Sequence, residues 1–492
     1  MRSIPTLLAI LGLAACGTDS VSDDDDDDDD VPTQVTWYRD VAPILSEHCM
    51  SCHQEGGIAP FTLTEYESAV EMSSVALDAI QRGVMPPFDA REEADCTPRF
   101  GWVDDPRLSN TERETLEKWV EQGHPLGEEI AIPGIPVTNL TNASMRLTPV
   151  EGFVTSGDRD QFICYVLDPG NTQLQWLTGL QVLPDVTEVV HHAVITEVAP
   201  GQAQDDLVAR AGGIGKPFDC GTASTPSDFV VHIWTPGNQP MSTSDEIAVP
   251  IVAGAKLVMQ VHYHPAGVAH TADKTAVDLR FSDTWPTRMY FVTSFGNFDQ
   301  APNLLPGPGD TGGTPQFMIP KNVQEHPEHM RVTIPALGDL TDVRLFSANP
   351  HMHLVGTHIS STIERPAARG SDPQTECLAN GGWNFDWQRT YQYDAPLDKL
   401  PSVAEGDIVD IKCTWDNTIE NPFVQRMLAD SGLPPTPIDI SLGEQTTNEM
   451  CLEIFGLSIP APAPPAKAQP RPTTIEFPSA LAQMRVNPNM LK

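Results

Sequence analysis

Four short segments gather side chains able to hold metal ions. His191-His192 follow the apolar pair Val189-Val190, and Val261-His262-Tyr263-His264 ends a second strand-like run. His351-Met352-His353 supplies two imidazoles that share one face of a strand, because residues i and i+2 project together. Glu449-Met450-Cys451 adds a thioether. Neutral imidazoles suit copper, and a thioether favours its reduced form. Nearer the start, Cys49-Met50-Ser51-Cys52-His53 is a CxxCH motif. Two thiols so spaced attach haem covalently, and the next histidine becomes the proximal iron ligand. A zinc site or a disulfide is the other reading, but zinc needs a second ligand pair nearby and Cys96 alone does not supply one. Met85, in Val84-Met85-Pro86-Pro87, is the candidate sixth ligand. Its rivals are Met50, inside the attachment loop, and Met72, in a helical pattern.

The elements that must carry these groups are of two kinds. Residues 35–130 read as a small all-α domain. A short helix is expected before the CxxCH, and Ser109 with Glu112 reads as a helix start. Leu116, Trp119 and Val120 then lie on one face, and Gly123 closes the helix. From 136 to 460 the chain reads as mainly β, with alternating runs such as Ala255 to His264 and Asp342 to Ala348 bounded by Gly and Pro. That length suits two sandwich lobes, 137–285 and 286–460. Residues 301–316 read as a long loop and 461–492 as a Pro/Ala-rich extended tail. Lone histidines at 232, 270, 326, 329 and 358 read as hydrogen-bonded core residues, while His264 could share a face with His262.

The 492 residues carry a formal charge of −38, eight of it in the run Asp23–Asp30. So acidic a surface repels nucleic acid and anionic lipid. Residues 1–15 read as a signal segment, with Arg2 ahead of a short apolar core. Its end, Leu13-Ala14-Ala15-Cys16, resembles the bacterial lipobox, which implies a lipid on Cys16 and a place in the cell envelope, at the outer membrane by the Gly17 that follows. Residues 16–34 then form an acidic tether. In that oxidising compartment the six remaining cysteines are expected to pair.

Taken together, the metal-binding motifs resemble the type II ascorbate-dependent copper monooxygenases, the family of the peptidylglycine and dopamine hydroxylases. The resemblance covers residues 137–456 and implies two jelly-roll-like lobes with one copper each. It assigns His191, His192 and His262, the last within Gln260-Val261-His262-Tyr263, to the first copper. His351, His353 and Met450, the last within Asn448-Glu449-Met450-Cys451, fall to the second, catalytic copper. It also implies a Cys413–Cys451 disulfide and, in the first lobe, a Cys164–Cys220 pair, leaving Cys96 and Cys377 unassigned. The front segment resembles the small cytochrome domains fused to bacterial copper enzymes.

The activity so implied is hydroxylation of a C–H bond by O2 with two electrons consumed. The donor would be ascorbate-like or a periplasmic redox protein, and the electrons would pass through the fused haem. The family's peptide-carboxylate clamp is missing: Asn349-Pro350 precede His351, and Leu452-Glu453-Ile454 follow Cys451. An apolar or neutral small molecule is the expected substrate class. The competing readings are a haem and copper electron carrier without substrate and an adhesion protein built on jelly rolls.

Overall fold

The computed structural model describes residues 34–55, 59–135, 139–157, 160–221, 229–235, 238–263, 270–297, 303–312, 314–443, 447–466 and 470–475. The expected signal segment, Cys16, nearly all of the acidic tether and His264 lie outside these residues.

A π-helical turn, Trp37–Val41, runs into α1, Ala42–His48, which ends immediately before Cys49. Two further helices follow, α2 (Tyr66–Gln81) and α3 (Asn110–Glu121). The start of α3 is a full capping box. Ser109 accepts from the Glu112 N–H, and the Glu112 carboxylate accepts from the Ser109 N–H. Its end is a Schellman turn: Gly123 and His124 take positive φ and donate to the carbonyls of Val120 and Trp119. Leu116 and Trp119 face a core shared with Trp37, Val41, Leu45 and Ala69. Each aliphatic side chain so buried stabilises by about 1.5–3 kcal/mol.

The rest of the described chain is mainly β, in several sheets. A five-stranded antiparallel sheet runs in the order Phe218–Asp219, Gln161–Leu167, Lys256–Tyr263, Val190–Val198, Phe229–Trp234. A four-stranded sheet has the order His326–Thr333, Ile408–Trp415, Gly356–Glu364, Thr375–Gly382. Ile408–Trp415 buries every second residue, as a strand covered on one face does. A third sheet crosses the expected lobe boundary. In it Ala276–Ser282, Gln175–Leu183 and Ile247–Ile251 continue into Arg288–Gly296, Leu452–Pro460 and Val343–His351. The join is a short parallel pairing of Arg288 with Ile247. The two halves therefore share one ten-stranded sheet. Its central strands Arg288–Gly296 and Leu452–Pro460 are buried almost throughout.

Disulfides join Cys164 to Cys220 and Cys413 to Cys451, as the resemblance implied. A third joins Cys96 to Cys377, 281 residues away, and ties the helical region to strand Thr375–Gly382. Around it, Arg91 N donates to Asn380 O at 2.8 Å and Gly382 N to Asp89 O at 3.0 Å. Gly381 is required there, because a Cβ would run into the Asp89 carbonyl. Trp102 stacks on Tyr393 at 5.0 Å. The tail is less free than its composition suggests: Pro472 and Thr473 accept from Leu174 N and Ala253 N.

Candidate metal and haem sites

His191 and His192 are neighbours in sequence and would point to opposite faces of a regular strand. The pairing with Lys256–Tyr263 places Val190 opposite Tyr263 and His192 opposite His262, so His191 is an extra residue in a bulge. Such a bulge re-aims a side chain. All three imidazoles consequently meet. His192 Nδ1 lies 3.2 Å from His191 Nδ1 and 3.3 Å from His262 Nδ1. Two nitrogens that each sit about 2.0 Å from one tetrahedral ion are about 3.3 Å apart. His192 Nδ1 has a single in-plane position, either a proton or a lone pair, so hydrogen bonding satisfies only one of its two contacts. A cation would take all three lone pairs. Burial, then His262, His191 and His351, hold the His192 pKa well below that of free imidazole, which keeps it a neutral donor. Phe162 stacks on His262 at 4.4 Å and Phe385 on His191 at 4.8 Å. Asp160 Oδ2 lies 3.1 Å from the outer nitrogen of His262.

His351 ends a strand whose partner position is Leu452. Continued past the ladder, that register sets 353 against 450. The ring centroids of His351 and His353 are 5.4 Å apart. His353 Nδ1 donates to Asn448 O at 3.1 Å, and His351 Nδ1 lies 3.0 Å from Gln388 Oε1. A carbonyl only accepts, so in each ring the proton sits on Nδ1 and Nε2 keeps its lone pair. Burial lowers the His351 pKa against the opposing Gln388 bond. Met450 is buried beside Glu449, whose carboxylate accepts the N–H groups of His353 and Val355 at 2.8 Å each. Burial pushes the Glu449 carboxyl up to about 7.

Cys49, Cys52, His53 and Met85 line one apolar cavity of about 620 Å³. Among the described cysteines, only Cys49 and Cys52 are free thiols. Burial pushes the Cys49 thiol up to about 12. His53 Nδ1 donates to Phe61 O at 3.1 Å, which leaves Nε2 bare. Met85 reaches the cavity with Pro86 and Pro87, whereas Met50 and Met72 pack in the helical core. The volume, apolar walls, two free thiols and oriented imidazole fit a covalent haem.

One segment missed by sequence reading reaches all three sites. Trp383 donates to His353 O at 2.7 Å, Phe385 covers His191, and Gln388 holds His351. Asn384, Asp386 and Trp387 line the haem-sized cavity. These are ordinary residue types in a Gly/Asn-rich stretch, and only the fold shows their use. A smaller cavity of about 200 Å³ lies beside His191, between Glu188, Phe385, Gln388 and the Arg426–Asp386 ion pair.

The lone histidines divide. His326 is buried against Glu328 at 2.9 Å, and His358 sits 3.4 Å from Glu93. His232 is buried and pushed down to about 4 by desolvation, with Nε2 unpartnered among the described residues. His270, His329 and His358 are partly exposed, so they are not core; His270 and His329 bond to Thr155 and Asp410.

No family model matches the chain, and no curated protein matches it. Solved structures found to be similar include that of infectious bursal disease virus Gx strain, at 9% identity over 66% of this chain and 73% of that one, with a TM-score of 0.16. The infectious bursal disease virus VP2 subviral particle is 10% identical over 71% of this chain and 89% of that one, with a TM-score of 0.13. Scores this low carry no argument.

Proposed function

We propose that the chain is a copper-dependent monooxygenase of the type II ascorbate-dependent kind, preceded by a cytochrome c-like domain. It hydroxylates a C–H bond of a small substrate with O2. The observation that carries this reading is the convergence of three Nδ1 atoms, from His191, His192 and His262, across two strands. A second, separate donor set with a thioether, His351, His353 and Met450, gives it direction. Storage of copper needs no such division into two unlike sites.

When bound, the coppers would relay the donor's electrons and react with O2, and the haem would supply a one-electron store. The residues supply the rest. Gln388 and Asn448 hold the His351 and His353 rings in the tautomer that presents Nε2. Asp160 lies against Nε2 of His262, which leaves Nδ1 as the nitrogen that faces the triad. Met450 makes its site soft, and Phe162 and Phe385 pack their rings on His262 and His191. Asn349 is buried and donates to Thr390 Oγ1 at 2.8 Å, so it offers no cationic clamp. Arg426 is already paired with Asp386. A substrate without a carboxylate follows.

Three disulfides suit an oxidising compartment, in keeping with anchorage through a lipid on Cys16 in the cell envelope. The electron donor is then ascorbate-like or a periplasmic redox protein. Metal analysis with a pyridine haemochrome spectrum tests the cofactors: two coppers and one haem c are expected, and a chain that binds neither refutes the reading. Substrate-dependent oxygen uptake tests the reaction. Both cofactors without such uptake would leave an electron carrier instead.

A further inference from the structure

We infer that the segment Trp383–Gln388 is the electron bridge between the haem cavity and the His191/His192/His262 centre, with Trp387 and Phe385 as its two aromatic ends. The inference rests on the function proposed above and adds the route.

The segment is the place where the two sites share residues. Trp387 and Asp386 form part of the wall of the cavity that holds Cys49, Cys52 and His53. Two residues earlier, the Phe385 ring lies over His191 at 4.8 Å with an interplanar angle of 25°. A path from the cavity wall at Trp387 to a ligand of the triad thus crosses two backbone units and one ring stack. Electronic coupling falls steeply with through-space jumps, so a short covalent path with close stacking is the favourable kind.

The segment is also held still. Trp387 Nε1 donates to Pro87 O at 3.1 Å, which pins it to the loop that carries Met85. Trp387 N donates to Asn384 O at 3.1 Å, and Thr235 Oγ1 donates to Gln388 O at 2.5 Å. Arg426 pairs with Asp386 at 2.8 Å, and Arg389 Nη2 donates to Asp104 O at 2.9 Å. The Cys96–Cys377 disulfide and the Asp89–Gly382 bond fix the strand that leads into the segment. These contacts come from both the helical region and the β region. The bridge therefore sits at their junction and is tied to both.

The step balances as follows. One electron leaves ferrous haem iron, which becomes ferric, and reduces cupric copper at the triad to cuprous. An external one-electron reductant of the haem restores it. Phe385 and Trp387 are positioning residues that do not change net oxidation state.

The test uses the full haem- and copper-loaded chain under argon, with a laser-pulsed flavin placing one electron on the haem. Decay of the ferrous α-band then reports transfer to copper, and protein carrying redox-inert zinc at the triad should keep its haem reduced. Phe385→Leu and Trp387→Leu are each expected to slow the decay about tenfold. Trp387→Phe should keep a rate near the parent's. Haem potential and cupric EPR signal are read alongside, to separate a lost path from a lost site. Equal decay rates in the parent and both leucine variants overturn the bridge. So does a loaded parent whose haem fails to reoxidise. A chain that takes up no haem or no copper overturns the proposed function itself, and the bridge with it.

Discussion

The Glu449 carboxylate accepts the backbone N–H of His353 at 2.8 Å, although the two lie 96 residues apart in the chain. Its other oxygen accepts from Val355 N at 2.8 Å, and Met450 N lies 3.4 Å from the oxygen that meets His353. One buried side chain thereby sets the backbones on which His353 and Met450 stand. Asn448 O meets the His353 ring at 3.1 Å, so two successive residues align the imidazole from both ends.

Glu449→Gln should keep the fold and weaken copper at the His351/His353/Met450 site. An amide accepts through only one oxygen, so one of the two short bonds is lost. Loss of a partner that orients a ligand typically costs 10–100-fold in affinity, and about that range is expected here. Competition with a chromophoric cuprous chelator measures it. Unchanged affinity at that site would contradict the clamp.

Asp160→Asn should act on the other centre alone. The carboxylate, 3.1 Å from His262 Nε2, raises the basicity of the nitrogen that faces inward. The expected outcome is about 10-fold weaker copper at His191/His192/His262, with the methionine-containing site unaffected. Site-resolved EPR titration separates the two. A loss shared equally by both sites would count against the assignment.

The parts of the site legible in sequence were those whose residue types are rare. Imidazoles at 191, 192, 262, 351 and 353 stand out on apolar runs, and CxxCH stands out by spacing. The bulge that turns His191 toward His192 was not legible, because it arises from pairing with a strand 70 residues away. Phe385, Gln388 and Asp160 were missed for a related reason: their types are common, and only tertiary contact gives them work. The Cys96–Cys377 bond could not be read from a count of cysteines. The mainly β character was legible from alternating runs, whereas the sheet spanning both halves depends on Arg288 pairing with Ile247, which leaves no local signal.

Cys96→Ala with Cys377→Ala should loosen the helical region from the β region before either unfolds. The bond closes 281 residues and works beside backbone hydrogen bonds, the Trp102–Tyr393 stack and the Arg99 ion pairs with Asp372 and Glu376. Removing such a link costs about 2–5 kcal/mol. Urea unfolding is expected to split into two transitions, with tryptophan emission from Trp37 and Trp119 changing first. A single transition at the parent midpoint would show that the junction holds without the disulfide.

Glu453 makes stability depend on pH. It is fully buried, and desolvation pushes its carboxyl from 4.5 up to about 8, with only the Ser361 hydroxyl and the Asn349 N–H favouring the charged form. The neutral acid is thus the form that the fold prefers. A folded pKa above the unfolded one gives stability that is complete below pH 4.5. It declines as pH rises, and the loss levels off only above about 8. Glu453→Gln is neutral throughout and removes this dependence. The variant should match the parent near pH 4 and exceed it at pH 8 by on the order of a few kcal/mol. Thermal unfolding followed across that range measures the slope, and parallel curves for the two proteins would rule out the buried acid as its source.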